Sequence, residues 1–251
     1  MRASWPEGYG RRVLAEVDST NALAGRIAAG GSAGPEWILA GFQTGGRGRR
    51  GRAWVSPRGN FHATLLLYPE AAPGMAALRS FVAAVALREA LADLTGLPGQ
   101  LALKWPNDLL LNGGKVAGIL LESSGSGRGV AHLAVGIGVN LIAAPDPGSV
   151  EPGALRPVSV LAETGHRIAP EVLLDRLAPA FAAWEARLAT EGFAPLRSAW
   201  LAHAARLGQE IRARAGAREV TGRFETIDAA GALVLATPAG REVIAAADVF
   251  F

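Results

Sequence analysis

Apolar residues recur along this chain at two spacings, and the switches between them outline its elements. Leu23 and Ile27 share one helix face. Asp18, Ser19 or Thr20 can cap that helix and Gly30 with Gly31 can stop it, because a short polar side chain satisfies free amides at a helix start and glycine tolerates the turn at its end. Residues 36–42 and 61–67 are apolar runs suited to strands, whereas Leu78, Phe81, Val82, Val85 and Leu91 repeat at helical spacing and predict one helix over 75–94, ended by Gly96. Strands follow at 101–105, 109–112, 115–122 and 130–141, with Asn112, Gly113 and Gly114 as a tight hairpin turn. Proline and glycine crowd 143–157, which reads as a long surface loop, before helices return across 170–191 and 195–206. From 207 to 251 the pattern changes to short strands divided by turn signals at 228–231 and 237–240, as in a small β-barrel. A boundary near 204–208 divides the chain into domains over 1–205 and 206–251.

Composition narrows the possibilities. Half of the 251 residues are hydrophobic and 19% are charged, which supports a sizeable core and excludes a disorder-dominated chain. Without cysteine there are no disulfides and no thiolate metal ligands, and His62, His132, His166 and His203 lack paired metal-ligand spacing. No structural metal is expected. The start, MRASWPEGYGRR, lacks the apolar core of a signal peptide, and no run of about eighteen apolar residues occurs elsewhere. A soluble, cytoplasmic protein without membrane attachment is expected.

Charge points to chemistry through its distribution. The formal net charge is only +3, and of 25 lysines and arginines just two, Lys104 and Lys115, are lysines. Both lie in KWPNDLLLNGGK, where a compact ammonium has been kept in a chain that otherwise uses the wider, planar guanidinium. Upstream, GGRGRRGRAW interleaves Arg47, Arg49, Arg50 and Arg52 with Gly46, Gly48 and Gly51. Such a loop brings backbone amides and bidentate donors close to an anion; it also fits a solvated Arg/Gly surface loop. Neither a P-loop nor a dinucleotide-binding fingerprint is present. In KWPND, Pro106 stiffens a turn from which Asn107 and Asp108 either bind a ligand or cap backbone groups. Ser19, Thr20 and Asn21 suit a neutral polar ligand or a helix cap, and Gly136, Gly138 and Asn140 suit close ligand approach or a bulge.

Taken together, STN at 19–21, Gln43, GRGRRGRAW at 46–54, KWPND at 104–108, KVAGIL at 115–120 and GIGVN at 136–140 resemble the biotin protein ligase family over most of residues 1–203. That resemblance implies an α+β fold: a mixed, largely antiparallel sheet flanked by helices, class II synthetase-like, followed by an SH3-like β-barrel. It implies ATP and Mg2+ as cosubstrates, biotin as the activated acid, and transfer through biotinyl-5′-AMP to a lysine of a carboxylase's biotin carboxyl carrier domain. By motif, Ser19, Thr20, Asn21 and Gln43 are implied to contact the biotin head, with Gly118 beside it. Arg47, Gly48 and Arg49 are implied to close over biotin and adenylate, and Lys115 to polarise the ligand. Arg52, Trp54, Lys104, Asn107 and Asn140 are implied around the nucleotide. Asp108 is a candidate for orienting or deprotonating the acceptor amine. Regulatory members carry a DNA-binding segment ahead of STN that this chain has no room for, so no DNA repression is expected. Strand edges in 115–141 leave a homodimer open. Two rivals stand beside this reading: a lipoate or octanoate ligase or transferase, disfavoured by the polar STN and Gln43 set, and a nucleic-acid-binding Arg/Gly-loop protein, which lacks an aromatic-studded basic face.

Overall fold

A computed structural model describes residues 4–31, 34–69, 71–125, 129–151 and 153–251. Seven strands form the first sheet: β1 Gly10–Leu14, β2 Glu36–Ala40, β3 Phe61–Leu67, β4 Leu101–Lys104, β5 Asp108–Leu111, β6 Gly114–Ser124 and β7 His132–Val139, in the order β1-β2-β3-β7-β6-β5-β4. Only β1 and β2 pair parallel; every other ladder is antiparallel. All residues of β3 are buried because both faces of the central strands are covered. On one face α1, Thr20–Ala29, closes a small cluster of Ala24, Ile38, Leu66 and Ala134. On the other, α3 (Arg79–Thr95), α5 (Pro170–Glu191) and α6 (Phe193–Leu201) pack over the main core.

The C-terminal segment forms a second, antiparallel sheet of β8 Glu210–Ala215, β9 Arg218–Ile227, β10 Leu233–Thr237, β11 Gly240–Ile244 and β12 Asp248–Phe250. Its order is β11-β10-β9-β8-β12. Among the described residues no ladder joins β11 to β12, so hydrogen bonding leaves this SH3-like sheet open at both ends. Trp105, Trp200 and Phe81 sit between the two sheets: Trp105 Nε1 donates to the Gly231 carbonyl at 2.9 Å, and Trp200 meets Phe224 and Phe81 edge-on.

Several expectations shift. The helix expected over 75–94 is divided at Leu78 into α2, Pro73–Ala77, and α3, and α3 ends in a left-handed Gly96. The last helix begins at Phe193 and stops at Leu201, short of Arg206, whose φ of 64° is left-handed. The loop 143–157 precedes a short helix, α4 Val160–Thr164, that the sequence pattern did not announce. β1 was also missed, since its residues are mostly exposed and its arginines pair outward, Arg11 with Asp175 and Arg12 with Glu36. The hairpin turn is as expected, with φ of 50° at Asn112 and 77° at Gly113, the pair of left-handed conformations that a two-residue hairpin requires.

Candidate active site

The site lies on the α1 side of the first sheet, where registered positions from five strands form a row. Lys104 pairs with Asp108, Asp108 with Gly118, Gly118 with Gly138 and Gly138 with His62. One row along, Thr64 pairs with Gly136. Registration through Gly136 and Gly138 is unbroken, so the bulge suggested for this segment is absent; the glycines instead make room for side chains. A Cβ on Gly136 would lie 2.4 Å from Asn21 Oδ1, and one on Gly138 would lie 2.4 Å from Trp54 Cε2. The Trp54 ring thus lies on a glycine floor, with its Nε1 buried and without a hydrogen-bond partner.

The bulge is elsewhere, between the β5 positions Leu109 and Leu110, where Leu109 pairs with Ala117 but Leu110 with Lys115. Ala117 and Ile119 face the main core. In a regular strand Lys115 would follow them there; the extra residue turns it to the opposite face, a common use of bulges beside sites. Its Nζ then reaches Asp108 Oδ1 at 2.7 Å and lies 6.0 Å from the Trp54 ring centroid. Lys104 Nζ approaches the other oxygen of Asp108 at 3.8 Å. Lys104 is only 8% exposed, and burial pushes its ammonium below the ordinary lysine range despite Asp108.

At the α1 end, side chains interlock. Gln43 Oε1 accepts from the Thr20 amide at 2.9 Å and its hydroxyl at 3.1 Å, and Thr64 Oγ donates to Asn21 Oδ1 at 2.6 Å. Asn21 Nδ2 donates to Glu122 at 2.8 Å, and Gln43 Nε2 to Ser56 Oγ at 3.0 Å. Ser19 also caps α1, accepting from the Ala22 amide. The network fixes polar groups beside the glycine floor before any ligand arrives.

The basic loop folds back on itself through an Arg47–Ala53 bridge, with Gly48 donating to the Arg52 carbonyl at 2.7 Å. Arg50 adopts a left-handed φ of 57° within a single helical turn, Arg49–Gly51. Arg49 donates to Asn107 Oδ1 and to the Ala247 carbonyl, both at 3.4 Å. Burial lowers the Arg49 pKa, opposed by Asp248 and Asp108, but a guanidinium stays charged at any working pH. Asn107 and Asn140 are partly committed to the fold: their Nδ2 groups donate to the Ile119 and Val158 carbonyls.

These groups surround one cavity of about 830 Å³. Every residue to which the resemblance implied a role lines it, as do Gly136 and Gly138, whereas Gly46 and Gly51 of the basic loop do not; the cavity spans α1, the basic loop, the KWPND turn and β6–β7. Other parts of the lining had no sequence motif, among them Glu151 from the long loop and Arg214, Asp248 and Phe250 from the second sheet. The lining holds seven cationic side chains (Arg47, Arg49, Arg50, Arg52, Lys104, Lys115, Arg214) against three carboxylates (Asp108, Glu151, Asp248). The excess suits a multiply charged anion.

A cation-rich cavity beside a polar cradle, on a mixed sheet with an appended SH3-like sheet, is the arrangement that an acid-activating ligase requires. Residues 13–140 match the biotin/lipoate A/B protein ligase family, and 207–251 match the biotin protein ligase C-terminal domain. The chain belongs to this family. It is 63% identical over 239 residues to the biotin–[acetyl-CoA-carboxylase] ligase of Paracoccus denitrificans, covering 95% of this chain and 99% of that protein. It is 30% identical to the bifunctional ligase/repressor BirA of Bacillus subtilis (strain 168), covering 93% of this chain and 71% of that one. Among solved structures, the biotin protein ligase from Aquifex aeolicus in complex with biotin and ATP superposes with a TM-score of 0.81 at 26% identity, covering 96% and 97% of the two chains.

Proposed function

We propose that this chain activates biotin with ATP and transfers the biotinyl group to one lysine of a biotin carboxyl carrier domain. The observation that carries this reading is the single cavity, cation-rich over the loop and KWPND turn and neutral-polar at the α1 end. In the first step a carboxylate oxygen of biotin attacks the α-phosphorus, and the bond to pyrophosphate breaks. Biotin supplies the nucleophile, so the protein's part is to neutralise charge and align the reactants. Thr20, Asn21 and Gln43 receive the ureido head, with Ser19 and Gly118 beside them. Lys115, Arg47, Gly48 and Arg49 take the activated carboxyl and its phosphate, and Arg52, Lys104, Asn107 and Asn140 the rest of the nucleotide, with Trp54 near adenine. Mg2+ enters with the triphosphate as part of the substrate, held by phosphate oxygens and water. Residues 1–205 act as the catalytic domain and 206–251 as an appended module.

In the second step the acceptor amine attacks the acyl carbon, AMP leaves and the nitrogen loses a proton. Asp108 orients that amine or accepts the proton. Asp108→Asn should slow transfer from preformed biotinyl-AMP by about a hundredfold, the ordinary scale of a lost general base; an unchanged single-turnover rate would remove Asp108 from this step. The reading as a whole is tested by incubating the chain with ATP, Mg2+, biotin and a carrier domain. The expected result is one biotinyl adduct on one carrier lysine by mass spectrometry, with pyrophosphate released for biotin and not for lipoate. Release with lipoate alone would turn the assignment to a lipoate ligase.

A further inference from the structure

The ion pairs around the basic loop converge on the second sheet. Asp248, the first residue of β12, has a side chain only 16% exposed and sits 2.8 Å from Arg50, 3.1 Å from Arg52 and 3.6 Å from Arg214. Glu151 backs it, accepting from Arg214 at 2.7 Å and meeting Arg52 at 3.2 Å. The neighbouring Ala247 carbonyl accepts from Arg49. Of the four loop arginines, three lean on the start of β12, while Arg47 turns to Glu122 on β6 at 3.5 Å. A loop that carries four like charges with two glycines between them has little reason to fold alone: the charges repel and the glycines add backbone entropy to be lost. A partly buried carboxylate within reach of several guanidiniums offsets both costs. Burial alone would raise the Asp248 pKa, yet Arg50, Arg52 and Arg49 hold it below the ordinary carboxylate range, so the latch is ionised at neutral pH.

We propose that Asp248 is a positioning residue: its carboxylate fastens the basic loop to the second sheet without ligand, keeping Arg49 directed at Asn107 over the cavity. Polyphosphate oxygens then meet an already folded loop. This deepens the ligase reading above, and only its adenylate arm depends on that reading.

The test uses the full chain with Asp248→Asn, Asp248→Glu and Glu151→Gln. Without ligand, trypsin should cut between residues 47 and 53 about tenfold faster in Asp248→Asn, the scale of losing one charge-assisted carboxylate contact. Asp248→Glu should recover most of the protection, and Glu151→Gln should have a smaller effect. Preformed biotinyl-AMP should leave Asp248→Asn faster by a similar factor, with the melting temperature little changed. Loop cleavage equal to that of the parent chain would overturn the proposal, as would equal loss of protection and thermal stability in the Asn and Glu variants, which would mark a packing role. If the parent forms no adenylate at all, the ligase reading fails while the cleavage comparison still decides the role of Asp248.

Discussion

Gly138 and Gly118 show how one absent methyl group can define a site. Neither glycine has the left-handed φ that would require it; Gly138 is needed because Trp54 lies where a Cβ would stand, and Gly118 because a Cβ would press on the same ring. The gap is 2.4 Å at Gly138, where an alanine fits only if the indole moves, and 3.3 Å at Gly118, where the ring need give only by a few tenths of an ångström. Gly138→Ala should therefore leave the sheet folded while tilting Trp54 into the cavity. Overpacking of this kind costs roughly 1–3 kcal/mol, and here it falls on the ligand. Titration calorimetry should find ATP and biotin binding weaker by about tenfold or more, with a far-UV spectrum like the parent's. Undiminished affinity would mean that Trp54 leaves the glycine floor whenever ligand binds. Lys115 makes the complementary point. Its type was conspicuous in a chain of arginines, but its direction came from a bulge that no residue pattern announced. A Lys115→Arg change keeps the charge yet places a wide fork where Asp108 is met by a compact ammonium at 2.7 Å.

Elements carrying a strong internal signal were legible in the sequence, and those defined by distant partners were not. β3 and α5 occupy the spans that their apolar patterns predict, because burial on both faces or on one stripe writes a period into the chain. The cavity-lining loops were legible too, since glycine, proline and charge in GRGRRGR and KWPND have few other uses. β1 was hidden: an edge strand with exposed arginines looks like any polar segment. Asp248 and Glu151 were hidden for another reason. The pair Arg50–Asp248 joins residues nearly two hundred positions apart, and one aspartate in a short strand has no local signature. The same distance makes the junction between the sheets testable. Trp105 directly follows β4, is 3% exposed and donates to Gly231, while Arg197 on α6 donates to the Ile227 carbonyl at 2.5 Å. Trp105→Phe would orphan the Gly231 carbonyl and shrink a filled space, costing about 1–3 kcal/mol. Calorimetry should show a single unfolding transition moved to lower temperature in the variant. Two resolved transitions in the parent would mean that the sheets melt independently and that the contact holds little.

Over the whole molecule, the arginine-for-lysine bias bears on the reactivity of the proposed intermediate. Biotinyl-AMP is a mixed anhydride, and any neutral primary amine that reaches it can displace AMP and form an amide. Guanidinium groups, which stay protonated far above neutral pH, present no free amine lone pair to the anhydride. The chain's own amines are few: the α-amino group, Lys104, which is buried, and Lys115, which is paired with Asp108. An enzyme that loses its intermediate should therefore label its neighbours and spare itself. Arg49→Gly, which removes the loop's contact with Asn107 and Ala247, is expected to release biotinyl-AMP and to biotinylate an added lysine-rich bystander, while its own mass shows label at most on the α-amine. Adding Arg218→Lys, a position whose side chain is 64% exposed, should create a new adduct at residue 218 in that background and none when Arg49 is intact. Peptide mapping decides between the outcomes. Label on Lys104 or Lys115 ahead of the bystander would show that the site lysines lie open to the anhydride, and an adduct at 218 with Arg49 intact would show that the intermediate escapes without any change to the loop.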